Sequence, residues 1–251
     1  MSTPTLWHIP MSHYSEKARW ALEHKSISYR KMAPPPGAHM AIAAAMTRGR
    51  GVTFPILRID GSTYGDSSTI IAGLESRFPE QPLYPADAAE CEHALELEEY
   101  FDENIGPAIR RYNWHYLSQD PDLLAGALAE DLPEPLRDNK TARSGMAGFA
   151  SRFVRARYKA GDPEGAAQAK QTILDSLDRL EAELGDGEYL VGDTFSVADL
   201  TAASLFYPLV SPPEGPRQVK RPTPVEEFRA AQVERPGFKW VEKIFAEHRR
   251  T

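Results

Sequence analysis

Three backbone markers between residues 12 and 67 constrain this chain more than any other feature of its sequence. Ser12-His13-Tyr14-Ser15 opens an amphipathic stretch, Val52-Thr53-Phe54-Pro55 leads into a strand-like run, and Asp66-Ser67 follows eleven residues after Pro55. A serine ahead of an apolar-periodic stretch caps a helix, because its oxygen accepts from an otherwise orphaned N–H. Proline has no N–H to give a sheet, so Pro55 belongs at a strand start or a special turn. In this order the markers set two helix N-termini and one proline turn around a single region. Free N–H groups and the helix dipole at such termini favour an anion.

The elements between the markers read as an α/β unit. Residues 6–9 form a strand candidate, broken by Pro10 and Met11, and Ser12 caps a helix whose apolar face is Tyr14, Ala18, Ala21 and Leu22. A second strand candidate spans 27–32, followed by the Pro34-Pro35-Pro36-Gly37 loop and a short Ala-rich helix over 38–47. Residues 55–59 and 62–64 flank Asp60-Gly61, a hairpin signal because both turn positions want positive φ. Ser67 is expected to cap a helix bearing Ile70, Ile71, Leu74 and Phe78. The order is βαβ followed by ββα.

After a Pro-rich linker near 80–86 only helical periods remain. Asp87-Ala88-Ala89-Glu90 reads as a capping box opening a helical stretch to about 117, with a kink expected at Gly106-Pro107. Residues 118–165 are rich in Pro, Gly and charge and are expected to be irregular cover, apart from a basic helical piece near 151–159. Residues 166–184 are helical and end at Gly185. Ser196-Val197-Ala198-Asp199 is a second capping box with Phe195 placed to staple it, 211–224 is a Pro-rich loop, and 238–248 is a last helix bearing Trp240. The expected domains are 1–79 and 87–251.

Composition excludes several function classes. Of the 251 residues, 41% are hydrophobic and 26% charged, ordinary globular values. No apolar run approaches the roughly 18 residues that span a bilayer, and the N-terminus lacks the pattern of a signal peptide. A cytoplasmic protein without a membrane partner is expected. Cys91 is the only cysteine, which rules out an intramolecular disulfide or a cysteine metal cluster, and no metal is expected. The net charge of −7 divides into +3 over residues 1–80 and −10 beyond. No basic stripe interleaved with aromatics appears, so nucleic acid is not an expected partner.

Five motifs in order resemble the glutathione transferase superfamily: Ser12-x-x-Ser15 with Lys17 and Arg19, Phe54-Pro55-Ile56-Leu57, Asp66-Ser67-Ser68-Thr69-Ile70, Leu83-Tyr84-Pro85, and Phe195-Ser196-Val197-Ala198-Asp199. The resemblance covers nearly the whole chain. It implies an α/β N-terminal thioredoxin-like domain, an all-α C-terminal helical domain, a homodimer, and an active site between the domains. It also implies that glutathione is a co-substrate, its thiol attacking a hydrophobic electrophile. Ether cleavage, dehalogenation, isomerisation and peroxide reduction would use the same thiol site, and a non-catalytic scaffold would share the fold.

By the same resemblance, Ser12 is the catalytic residue that stabilises the thiolate. Pro55 is cis and Phe54 offers its main chain to the cysteinyl part. Ser67 holds the γ-glutamyl carboxylate, with Asp66 near the ammonium, and His39 reaches the glycine carboxylate, with Arg48 and Arg50 as alternatives. Tyr14 and Ser15 compete with Ser12 for the thiol. Trp7 and His8 stand where tyrosine-type members place their catalytic tyrosine, and no cysteine stands at 12 or 15. Tyr14, Tyr100, Asn104, Arg111 and Trp114 lie at spacings that could form the electrophile pocket near the kink.

Overall fold

The computed structural model describes residues 3–34, 38–129, 134, 138–218 and 220–249; most of the expected proline loop, residues 35–37, lies outside them. The N-terminal part contains β1 (Thr5–Trp7), α1 (His13–His24), β2 (Arg30–Met32), α2 (His39–Thr47), β3 (Ile56–Ile59), β4 (Ser62–Tyr64) and α3 (Ser67–Arg77). The four strands make one mixed sheet in the order β2-β1-β3-β4. β1 runs parallel to β2 and antiparallel to β3, with Leu6 opposite Leu57. The β3–β4 turn places Asp60 at φ 45° and Gly61 at φ 82°, as its sequence demands.

The rest is helical: α4 (Ala88–Glu103), α5 (Ile105–Leu117), α6 (Pro121–Ala129), α7 (Lys140–Tyr158), α8 (Pro163–Leu184), α9 (Val197–Val210), α10 (Thr223–Ala230) and α11 (Pro236–His248). α9 is apolar on every side and nearly all of it is buried, which is how an all-round hydrophobic helix avoids water. It packs against α1, α4, α5 and α11. Its capping box is complete: Asp199 accepts from the Ser196 N–H and hydroxyl, and the Ser196 oxygen accepts from the Ala198 N–H. The linker is tied at both faces, with Leu83 N–H donating to Glu75 and Leu83 C=O accepting from Val197 N–H at 2.8 Å.

Two buried charge clusters join the α/β part to the helices. Lys17 is fully buried, and its Nζ lies 2.8 Å from Glu98, Asp102 and the Ser68 hydroxyl. Ser68 donates to the same Asp102 oxygen at 2.6 Å. In the second cluster Glu16 lies between Arg19 (2.7 Å) and Arg249 (2.5 Å), and Arg249 also reaches Glu23.

Several sequence expectations are corrected. Asp66, rather than Ser67, caps α3, its oxygens accepting from the Thr69 N–H at 2.8 Å and hydroxyl at 2.7 Å. The long helical stretch breaks at Asn104, not at Gly106-Pro107. Gly106 serves a close approach instead: a Cβ there would lie 2.0 Å from the Tyr14 hydroxyl. The described residues of 118–165 are not irregular cover but carry α6 and α7, which pack on each other through Leu124, Leu128 and Ala147; 130–133 and 135–137 lie outside the described residues. Their apolar stripes are interrupted by Gly126, Gly145 and Gly148, which hide the period. The Pro-rich loop stops at Pro222, whose successor Thr223 opens α10.

Candidate active site

A cavity of about 850 Å³ opens between the α/β part and the helices. That is near the upper end of small-molecule clefts. Its first wall comes from the turn after β1, the Thr53-Phe54-Pro55 segment, the start of α2 and the start of α3.

Ser12 lines this wall as the N-cap of α1, with Oγ accepting from the Ser15 N–H at 3.3 Å. That bond uses a lone pair, and the Ser12 proton goes to no protein acceptor among the described residues. The turn that presents it is pinned from both sides. The Ser12 N–H donates to Ile9 C=O at 3.0 Å, and the Tyr207 hydroxyl of α9 donates to Met11 C=O at 2.7 Å. Ser15 is fully buried, with Oγ accepting from the Ile9 N–H at 3.1 Å, and is not part of the wall. Tyr14 lines the cavity, but its hydroxyl donates to Asp102 C=O at 2.8 Å. Burial, with Asp102 nearby, pushes that phenol above its ordinary value. Neither rival is placed to donate to a thiolate.

The Phe54–Pro55 peptide is cis, as expected. The Phe54 ring turns into a small core with Ala43 and Ile56 and lies over Trp7, 6.4 Å between centroids. The main chain is therefore what this residue can turn toward the cavity. Ser67 is buried on the wall at the first position of α3, where N–H groups fall outside the helical ladder. His39 also lines the cavity, its ring edge-on to Phe153 at 6.1 Å. Burial lowers its pKa, so it offers a hydrogen bond rather than a full charge. Arg48 and Arg50 are exposed and lie off the wall.

Between these residues His13 is buried, and its Nε2 has no hydrogen-bond partner. Burial and then Arg110 hold its pKa down at about 3, against a smaller raising contribution from a hydrogen bond to the Gly106 backbone. The imidazole is neutral across the physiological range.

The second wall departs from expectation. Trp114 is on it, but Tyr100, Asn104 and Arg111 are not. Tyr100 packs against Phe101 and under Arg179, Asn104 donates to Tyr100 C=O, and Arg111 pairs outward with Asp162 at 2.8 Å. On a helix of 3.6 residues per turn, residues 95, 98 and 102 share one face of α4, and Tyr100 and Asn104 point nearly opposite. On α5 the inner face is Arg110, Asn113, Trp114 and Leu117, one residue out of step with Arg111. Phe149, Phe153 and Arg157 of α7 and Lys220 and Arg221 after α9 complete it. Arg110 and Trp114, four apart with Leu117 next, carry a readable period once the break at Asn104 is known. The contribution of Arg217, Lys220, Arg221 and Pro222 has no local signal.

The chain matches the description "Glutathione S-transferase, N-terminal domain" over residues 6–82 and "Glutathione S-transferase, C-terminal domain" over 150–231. It is 25% identical over 206 residues to a probable maleylacetoacetate isomerase of Caenorhabditis elegans, covering 81% of this chain and 78% of that one. Among solved structures it is similar to the β-etherase LigF of a Sphingobium species, with TM-score 0.62 and 21% identity, over 96% of this chain and 99% of that one. A glutathione S-transferase of Methylobacterium radiotolerans in complex with glutathione sulfonate matches with TM-score 0.57 and 20% identity, over 95% and 93%. Two matched domains in their family order, on a four-stranded mixed sheet followed by a helical bundle, make this chain a member of the glutathione S-transferase superfamily.

Proposed function

We propose that the protein is a glutathione-dependent enzyme in which Ser12 holds the thiol of bound glutathione as its thiolate. The observation that carries this is the Ser12 hydroxyl at the cavity wall, its oxygen anchored by the Ser15 N–H and its proton uncommitted. A free thiol of pKa about 8.5 is only a few per cent ionised at neutral pH. Lowering it by two units takes about 2.7 kcal/mol of preferential thiolate stabilisation. One hydroxyl donor and the N-terminal dipole of α1 are suited to supply part of that.

In this reading the Phe54 main chain pairs with the cysteinyl unit, the α3 N-terminus with Ser67 receives the γ-glutamyl carboxylate, and Asp66 faces its ammonium. His39 donates to the glycine end. The thiolate attacks an electrophilic carbon held against the second wall, without a covalent enzyme intermediate. The relatives named as a β-etherase and a probable isomerase favour related glutathione chemistry as the second reading, because a thiolate at Ser12 also begins ether displacement or reversible addition. The reading includes a homodimer, with α3 and the 87–117 stretch, α4 and α5, as contact surfaces. Light scattering at micromolar concentration should then give twice the chain mass, and a monomer would remove that part.

The decisive measurement is calorimetric titration of glutathione together with ultraviolet detection of bound thiolate as a function of pH. Binding with a thiol pKa well below 8.5 supports the reading; no binding, or an unshifted thiol, defeats it.

A further inference from the structure

The charges around the cavity are sorted. Asp66, Glu98 and Asp102 lie on the α3–α4 side, whereas Arg110, Arg157, Lys220 and Arg221 lie on α5, α7 and the segment after α9. The acidic side suits an ammonium, and Lys17 already neutralises part of it. These four cations have almost no internal counter-charge among the described residues. Arg110, Arg157 and Lys220 make no ion pair among the described residues, and Arg221 reaches only the half-exposed Glu226, at 3.6 Å.

Arg110 is the most committed of these cations. It is half-buried, with its guanidinium carbon over the Tyr158 ring, 4.8 Å from the centroid, and 5.9 Å from that of Tyr14. Aromatic faces hold the plane of a guanidinium without accepting its N–H bonds. All five donors of the fork stay unused by protein acceptors among the described residues. An oriented cation with an open fork matches a carboxylate, which takes two parallel hydrogen bonds. Around it Trp114, Leu117, Phe149 and Phe153 make an apolar surface.

We infer that the second substrate is an amphiphilic carboxylate, an electrophile whose apolar body lies on Trp114 and the α7 phenylalanines and whose carboxylate is gripped by Arg110, with Arg157 and Lys220 at the rim. Its role as a substrate rests on the glutathione reading, and the basic wall narrows a merely hydrophobic electrophile to an anionic one.

The test titrates biphenyl-4-carboxylate and its uncharged isostere biphenyl-4-carboxamide into the full chain by calorimetry, at low ionic strength, alongside glutathione. The acid should bind about tenfold tighter than the amide in the native protein, a preference that shrinks with salt. R110Q should abolish the preference, R110K should keep part of it, and both should bind glutathione within about twofold of the native protein, since the fork is assigned to the other ligand. Equal affinity for acid and amide in the native protein overturns the inference, so the outcome does not depend on R110Q folding. A preference that persists in folded R110Q overturns it too. If R110Q weakens glutathione as much as the acid, the arginine serves the peptide and the inference falls. Absence of glutathione binding with the acid preference intact would sink the thiol reading alone.

Discussion

The two walls of the cavity are built on different principles. The wall that carries Ser12 is made largely from backbone: a capped helix start at Ser12, a cis peptide before Pro55 and a second capped start at Asp66. The opposite wall is made from side chains of α4, α5, α7 and the segment after α9, brought together only by helix packing. Backbone geometry fixes one kind of chemistry with few residue choices, whereas a wall of side chains can be re-lettered without disturbing the fold. Under the proposed glutathione reading, such a division would let one thiol device meet different second substrates.

The largest expected effect breaks the join between the walls. Lys17→Met leaves the buried Glu98 and the partly buried Asp102 without their cation, which should cost about 3–5 kcal/mol in urea unfolding. Because Lys17 and Asp102 also hold Ser68 at the start of α3, glutathione affinity should fall in the protein that remains folded. A stability change below about 1 kcal/mol would mean the cluster is not what couples the two parts.

Next comes the backbone wall itself. Ser12→Ala should lower turnover by up to about a hundredfold, the ceiling set by about 2.7 kcal/mol of thiolate stabilisation, and raise the pKa of bound glutathione. Loss of the cap should cost only about 1 kcal/mol of stability. Glutathione should still bind, since Phe54, Asp66 and Ser67 are unchanged. Unaltered turnover would return the role to a neighbour and undo the contrast, although Ser15 is buried off the wall and the Tyr14 hydroxyl proton is given to Asp102 C=O.

The legibility of the sequence follows the same division. Ser12, Pro55, Asp60-Gly61 and the Ser196 box can be read because each acts through its own few peptide units. The one-place shift at Asp66-Ser67 arises because aspartate and serine both cap, and only the Thr69 bonds choose between them. Tyr100, Asn104 and Arg111 fall outside the pocket because the helix breaks at Asn104 and the inner face of each half depends on what packs behind it. Arg157, Lys220 and Arg221 reach the cavity from distant segments, which no local pattern encodes. Glycines in their faces hide α6 and α7, and Lys17 is legible as a motif residue but not as a buried ion.

His13 tests whether the backbone wall is also a buried one. Its folded pKa of about 3 lies below the unfolded value of 6.5. Its neutral form is therefore favoured on folding, and its contribution is complete above pH 6.5 and lost as pH falls toward 3. At pH 5 the loss should be about 2 kcal/mol. His8, held down at about 4 by burial and then by Arg19, adds in the same direction. Denaturant midpoints between pH 7 and 5 should fall for the native protein and about half as far in His13→Gln, in which His8 remains. A flat native profile would show that the ring is solvated in the unliganded protein.

The smallest effect is the sharpest test of the side-chain wall, because it sets neighbours on one helix against each other. Trp114 faces the cavity, while Arg111, three residues earlier, faces Asp162 on the outside. Trp114→Leu keeps a large apolar side chain but removes the indole surface, and should raise KM for an aromatic electrophile about fivefold to tenfold with little change in kcat, the signature of lost uniform binding. Arg111→Ala removes a partly exposed ion pair, for which about 0–1 kcal/mol of stability is expected. It should leave both kinetic constants within about twofold of the native values. Should Arg111→Ala alter KM while Trp114→Leu does not, the inner face of α5 is rotated by one residue from the face assigned to it. Arg110, which shares that face with Trp114, would lose its place on the second wall with it.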